Sequence, residues 1–364
     1  MTISGPIKDR IDFHPPGGYT EIMFRSPKRM LSAAGLLLVL LVGGYTAYWY
    51  SVAAQVRSGI QDWSAGRTAE GWTVELGSPD VSGFPFRIDV RLKTPRLTGP
   101  ERKWVWALPN IRASARPWQL QQINISASGL HDIETGGQRT DIQLARADGD
   151  LTLRSGRFAS AVARLEGVRI RRGGLPPLQA DRLTGRLALP PSPAGEKGNS
   201  GISIVIDARE ITLPKVWRPA LGTRVSRFSL DARFRGKIVP GTTLPDTLSQ
   251  WRDSGGTVEI SAFTLDWQTL SLTGDGTLAL DQNLQPLGAM TAEIAGIEKT
   301  TDALIAVGAI NARTAFAAKV ANRALSWGKG SVRLPLSIQD RQLYLGPVPL
   351  LQLAPIDWVG VVKT

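Results

Sequence analysis

Cysteine is absent from this chain, and histidine occurs only twice, as His14 and His131. Without cysteine there is no disulfide framework, no thiol nucleophile and no cysteine-ligated metal, so the fold must rest on its own core. A Ser–His–Asp triad past the N-terminal segment would have to use His131, yet no serine stands in a Gly-x-Ser-x-Gly setting. His131 reads as an ordinary loop residue. His, Asp and Glu show no clustering at metal-ligand spacing, and no glycine-rich phosphate loop follows a strand and opens a helix. Asp148 and Asp150 flank Gly149, which raises the option of a hydrolase with paired carboxylates. A calcium loop needs more acids than these two supply. The sequence favours Asp148-Gly149 as a hairpin turn instead. No catalytic residue, cofactor or metal is therefore assigned, and the absences point to a binder or scaffold rather than an enzyme.

Long uncharged runs are also rare; one stands out. Met30–Tyr50 is 21 residues without a charge, preceded by Arg25, Lys28 and Arg29. As a helix it would rise about 30 Å, the thickness of a bilayer's hydrocarbon core. The basic residues before it place the N-terminus inside and export the remainder of the chain. Tyr45, Tyr48, Trp49 and Tyr50 gather at the far end, as interfacial aromatics do. Ser51-Val52-Ala53 offers a signal-peptidase site, but the run is long for a cleaved signal, so a retained signal anchor is the expectation.

Formal net charge is +12. Residues 1–29 hold five Lys or Arg and three acids, leaving a surplus of ten on the exported part. A basic exported body suits anionic lipid or another anionic envelope component; nucleic acid is removed as a partner by topology.

The expected organisation is a disordered tail over 1–29, the membrane segment over 30–50, a helical stalk over 51–66 and a β-rich domain over 67–364. In the stalk, Val52, Val56, Ile60 and Trp63 recur at helical spacing, with Gly66 as a stop. From Trp72 the period becomes two. Phe86, Ile88, Val90 and Leu92 alternate with Arg87, Asp89, Arg91 and Lys93, which predicts a strand with one apolar face. Similar alternation recurs from Trp104 to Ile338, including Ile202–Ala208 with Ile204 on the apolar side. Gly173-Gly174, Gly255-Gly256 and Gly274-Asp275-Gly276 read as turns. Pro190–Gly201 is the clearest loop, either a domain boundary or a connection within one sheet. Thr300–Leu325 predicts one or two helices, capped at Thr301 or Asp302, bent or broken near Gly308 and Asn311, and packed across the sheet. The fold class is thus mainly β: a large antiparallel meander forming a curved sheet or half-barrel, with few covering helices.

Gly83-Phe84-Pro85-Phe86-Arg87, placed after an anchor and a Trp-bearing stalk, resembles the domain of unknown function 2125 family. Trp106-Ala107-Leu108-Pro109, Ala115-Arg116-Pro117-Trp118, Leu334–Ile338 and Tyr344–Leu350 extend the resemblance over roughly Val52 to Trp358. Family tails often carry Gly after the Asp of the last hairpin, where this sequence has Arg341. The C-terminal half is also similar to AsmA-like proteins through Gly274–Leu278 and the Leu-Gly-x-x-Pro-Leu ending. The first resemblance implies a bacterial envelope protein; together with the anchor and its flanking charges, the expectation is a single-pass inner-membrane protein with a cytoplasmic N-terminus and a periplasmic domain. AsmA-like proteins imply lipid homeostasis. The expected function is non-enzymatic lipid handling or shielding, or support of envelope integrity. The alternative is a scaffold that binds another envelope protein through a sheet edge or apolar face.

Overall fold

The computed structural model describes residues 27–190, 201–238 and 243–358, apart from 314, 317, 318, 321, 322 and 324–330. Residues 1–26 of the expected disordered tail, Arg25 among them, and most of the Pro190–Gly201 loop lie outside the described residues, while residues 27–29 are helical rather than disordered. The side chains of Lys28 and Arg29 and the expected helix end at Leu325 and Gly328 also lie outside. Two units are distinguished, Met1–Ser51 and Val52–Thr364.

Helix α1 spans Pro27–Ala69. In the first unit Leu36 through Val42 are all exposed. A helical stretch that is apolar on every side has no polar face to turn to water. It is long and apolar enough to cross a membrane. In the second unit α1 continues three residues past Gly66. Val52 is buried and Ile60 half-buried, while Trp63 is exposed and off the buried stripe.

The second unit is one antiparallel sheet in which nearly every pairing joins chain neighbours. Its first five long strands are each broken once: β1 Thr73–Glu75 with β2 Asp80–Ser82, β3 Ile88–Lys93 with β4 Arg96–Thr98, β5 Trp104–Ala107 with β6 Asn110–Arg116, β7 Gln119–Ser126 with β8 Gly129–Thr135, and β9 Gln138–Leu144 with β10 Arg146–Arg154. Then come β11 Arg157–Arg172, β12 Leu178–Ala188, β13 Ile202–Thr212, β14 Arg224–Arg235, β15 Thr257–Trp267, β16 Leu270–Leu280, β17 Pro286–Ala295, β18 Ser331–Gln339, β19 Gln342–Leu345 and β20 Val348–Gln352. The sheet is open. β12 pairs directly with β13, so residues 190–201 connect neighbouring strands of one sheet.

The breaks line up as a crease. Thr94 N–H donates to Pro109 O at 2.9 Å, and Leu108 N–H to Pro95 O at 3.3 Å. Both prolines lack the N–H that would continue the ladder. Next along the line, Ala127 N–H donates to Ala147 O at 3.0 Å and Ala147 N–H to Ser128 Oγ at 2.9 Å. Gly167 carries the crease through β11 at φ +59, and Glu210 through β13 at φ +50. β14 shifts register between Val225 and Arg227. A line of such irregularities bends a sheet in one direction.

Short helices accompany the sheet, two of them described end to end. α2, Leu244–Asp253, opens on a capping box in which Asp246 N–H donates to Thr243 Oγ1 and Thr243 N–H to Asp246 Oδ2. It buries Trp251, whose indole N–H donates to Arg235 O at 2.7 Å. α3 is Ile297–Ala306. It begins earlier than the expected caps: Thr301 is a buried mid-helix residue whose hydroxyl bonds Ile297 O at 2.9 Å. Helical residues resume at Ala312 beyond Gly308, which adopts φ +71, so the helix is broken where Gly308 and Asn311 predicted.

The best-buried cluster joins β17 and β18 to α3 through Ala292, Ile294, Ile297, Val332, Leu334, Leu336 and Leu345. A second, at the crease, is Leu144, Ala147 and Val168.

Candidate functional site

The ladder registers define one apolar row across twelve strands. It runs Val90, Ala113, Ile125, Gly149, Ala163, Gly185, Ile206, Leu230, Phe263, Gly274, Ala292, Leu334, each directly opposite the next. Shifting each strand by one residue gives the other face: Arg91, Arg112, Ser126, Asp148, Arg164, Thr184, Asp207, Ser229, Thr264, Thr273, Glu293, Arg333. Period-two alternation in separate strands is thereby added up, by register, into a single two-faced surface.

Burial along the apolar row is uneven. Val90, Ala292 and Leu334 are buried, but Ile125, Ile206, Leu230 and Phe263 are only half-buried. Over β10–β12 the row is Gly149, Ala163 and Gly185, so the floor there is backbone and one methyl group. Rows of larger side chains flank it: Leu165 and Leu183 on one side, Leu151 and Leu187 on the other. The middle of the face is thus a shallow apolar channel between leucines.

The opposite face is a lattice of ion pairs. Arg139 pairs with Asp132 and Asp141, Arg164 with Asp150 at 2.7 Å, Arg209 with Asp207 at 2.7 Å and Arg224 with Glu210 at 2.8 Å. Arg146 pairs with Asp148. The Arg164 hydrogen bond holds the Asp150 carboxyl below the usual carboxylate range, helped by Asn124 Nδ2 at 2.6 Å. Arg209 does the same for Asp207, with Arg227 adding its charge. Several pairs sit two residues apart, as in Arg139–Asp141 and Arg146–Asp148. That spacing puts both side chains on one face of a strand, a signal the sequence carried.

Several expected positions shift. Ile88, Val90, Leu92 and Ile204 do share the apolar face. Phe86 does not: β3 starts at Ile88, and Phe86 stands in the preceding turn, 69% exposed against 2% for Ile88. The turn is fixed by Gly83 at φ +103, where a Cβ would come within 2.8 Å of Arg87 O. Asp148-Gly149-Asp150 is the middle of β10, not a turn, and Gly274-Asp275-Gly276 lies inside β16. In both places glycine occupies the apolar row. Gly173-Gly174 and Gly255-Gly256 are turns as expected. Arg169 and Arg171 sit on the polar side of β11 across from Gln143 and Asp141.

His131 is not a loop residue. It lies in β8, 7% exposed, on the apolar side of the crease. Trp106 Nε1–H donates to its Nδ1 at 3.3 Å, and its Nε2 lies 2.6 Å from Ala127 O. These contacts require a proton on Nε2, and both nitrogens are engaged. Among the described residues no three His, Asp or Glu are gathered to hold a metal ion.

An apolar N-terminal helix followed by a large, open, two-faced antiparallel sheet is the architecture to be placed among known proteins. The family model described as an uncharacterized protein conserved in bacteria, DUF2125, matches residues 49–354, and the chain belongs to that family. No curated protein and no solved structure matches it.

Proposed function

We propose that this is a non-enzymatic protein of the bacterial inner membrane, anchored by α1 with its sheet in the periplasm, that holds lipid acyl chains against the apolar face. The observation that carries the reading is the half-buried middle of the twelve-strand apolar row. A fully buried Leu or Phe side chain contributes about 1.5–3 kcal/mol over an exposed one. Leu230, Phe263 and Ile206 realise only part of that in the free protein. An acyl chain laid on the Gly149–Ala163–Gly185 floor gains about 0.8 kcal/mol per buried methylene. Arg25, Lys28 and Arg29 support the orientation, and the basic surplus suits anionic headgroups.

The test is photo-crosslinking in cells. A photoreactive residue at Ile206 or Leu230 is expected to capture phospholipid, and one at Thr264 on the polar face is not. Lipid captured equally at all three positions, or at none with the domain folded, would sink the proposal. Capture of a protein at Leu230 would replace it with the scaffold reading.

A further inference from the structure

We infer that the end of the sheet formed by three neighbouring turns, Gly83–Arg87, Pro117-Trp118 and Ser155-Gly156, rests on the headgroup region of an anionic bilayer. This rests on the membrane reading above and adds to it a second, peripheral lipid contact made by the exported domain itself.

Three observations converge. The first is composition. Phe86 is 69% exposed, Trp118 58% and Phe84 48%, an aromatic density that water-facing turns do not ordinarily carry. The pairing of Ile88 with Ala115 sets the first two turns side by side, and the pairing of Gln122 with Thr152 brings the third beside them.

The second observation is charge. Arg87, Arg116, Arg154 and Arg157 border these turns, and no acid lies within 83–87, 116–119 or 154–157. Elsewhere the sheet matches some of its arginines with carboxylates, as at Arg139, Arg164, Arg209 and Arg224, while others such as Arg112, Arg182 and Arg333 make no ion pair among the described residues. At this end Arg116, Arg154 and Arg157 make no ion pair among the described residues, and Arg87 pairs with Asp89 at 3.7 Å. Arg87 and Arg116 also line one open cavity of about 410 Å³ with Ser114, Gln119, Asn124 and the Arg164-paired Asp150. Guanidinium groups beside exposed Phe and Trp form the combination that suits a phosphate layer over an acyl boundary.

The third observation is where the chain enters the domain. The helix ends at Ala69 and β1 starts at Thr73, so the edge strands run back along the helix. Arg57 Nη2 donates to Val81 O at 3.3 Å, and Arg57 through Thr68 face Val74 through Pro79. Val52, more than one helical turn before Arg57, is therefore carried to the Gly83–Arg87 end of the sheet. The uncharged run ends at Tyr50, two residues earlier. Charge, aromatics and connectivity thus select the same end and the same partner.

Because the chain has no cysteine, one introduced cysteine takes one label. Full-length Phe86→Cys, Trp118→Cys and Trp217→Cys proteins would each carry an environment-sensitive fluorophore. Each would be reconstituted in phosphatidylcholine vesicles with or without phosphatidylglycerol, containing shallow spin-labelled lipid as quencher. Trp217 is the control: it is 55% exposed but lies at the opposite end, between β13 and β14. Labels at 86 and 118 are expected to be quenched most with phosphatidylglycerol present, and the label at 217 not to be. Changing Arg116, Arg154 and Arg157 together to Glu should abolish the phosphatidylglycerol-dependent quenching at 86. Quenching at 86 and 118 no greater than at 217, in protein that floats with the vesicles, would overturn this inference and leave the anchor standing. Protein that does not float would overturn both.

Discussion

Gly167 in β11 faces Ala145 across the crease, so closely that a Cβ on Gly167 would come within 2.7 Å of the Ala145 Cβ. The glycine also adopts φ +59. Two independent restrictions, handedness and space, therefore act at one position in the middle of the longest strand.

Gly167→Ala should lose more stability than Gly174→Ala. Gly174 also has a positive φ, of 77°, but nothing stands within 4 Å of its added methyl group. The left-handed conformation alone costs about 1–2 kcal/mol, and the contact with Ala145 should add to it. Urea unfolding of both variants measures the difference. Equal losses would mean that close packing at the crease is unimportant.

Neighbouring residues of β18 offer a test of the two faces. Leu334 is buried in the apolar row and Arg333 belongs to the polar row. Leu334→Asp should cost several kcal/mol, since it buries an unpaired carboxylate. Arg333→Asp should cost about 1 kcal/mol or less. Comparable unfolding midpoints for the two would show the register to be wrong.

Acid should weaken the polar face in a defined window. Asp207 has its carboxyl pulled below the ordinary range, first by the Arg209 hydrogen bond and then by the charges of Arg209 and Arg227. A carboxyl with a depressed folded-state pKa contributes fully above its unfolded pKa of about 3.9 and loses that contribution as pH falls through the folded value. The stability gap between the parent protein and Asp207→Asn should therefore hold steady from neutral pH down to about 5 and close below about 4. A gap that narrows between neutrality and pH 5 would contradict this assignment.

The hairpin joining β18 to β19 turns on Asp340 and Arg341, at φ 51 and 60. Two left-handed residues between paired Gln339 and Gln342 favour glycine at the second position. Arg341→Gly should stabilise the domain by up to about 1 kcal/mol. A thermal midpoint that fell on substitution would mean that the Arg341 side chain makes a contribution the backbone argument omits.

The strands legible in the sequence were those with clear periodicity. Ile202–Ala208 and Phe228–Phe234 alternate cleanly because one face of each strand is apolar and the other wet. Even so, β13 runs on to Thr212 and β14 begins at Arg224, four residues beyond the alternation in each case. β6 and β17 escaped because Ala, Gly, Ser and Thr fill much of them, and small residues carry little contrast between faces. Glycine misled in the same way: at Gly149 and Gly274 it looks like a turn locally, while its place in the apolar row is visible only once neighbouring strands are in register. Phe86 shares the parity of Ile88, and parity alone cannot show that a strand has not yet begun. α2 was not expected: Thr243 and Asp246 have the spacing of a capping box, but ten residues are too few for a helical period to stand out. The apolar channel was legible only as an expectation that some face needed covering. Its continuity depends on eleven registers, and no single segment contains them.

A sheet whose strands lie beside their neighbours in the chain has little long-range closure to achieve. Each hairpin can dock on the one already formed, so the domain can assemble from one end without waiting for its last residue. Its stability should also divide into strand-to-strand increments, much as in a solenoid. Such an architecture tolerates changes in length: a hairpin added or removed leaves the remaining interfaces unchanged and makes the surface longer or shorter by two strands.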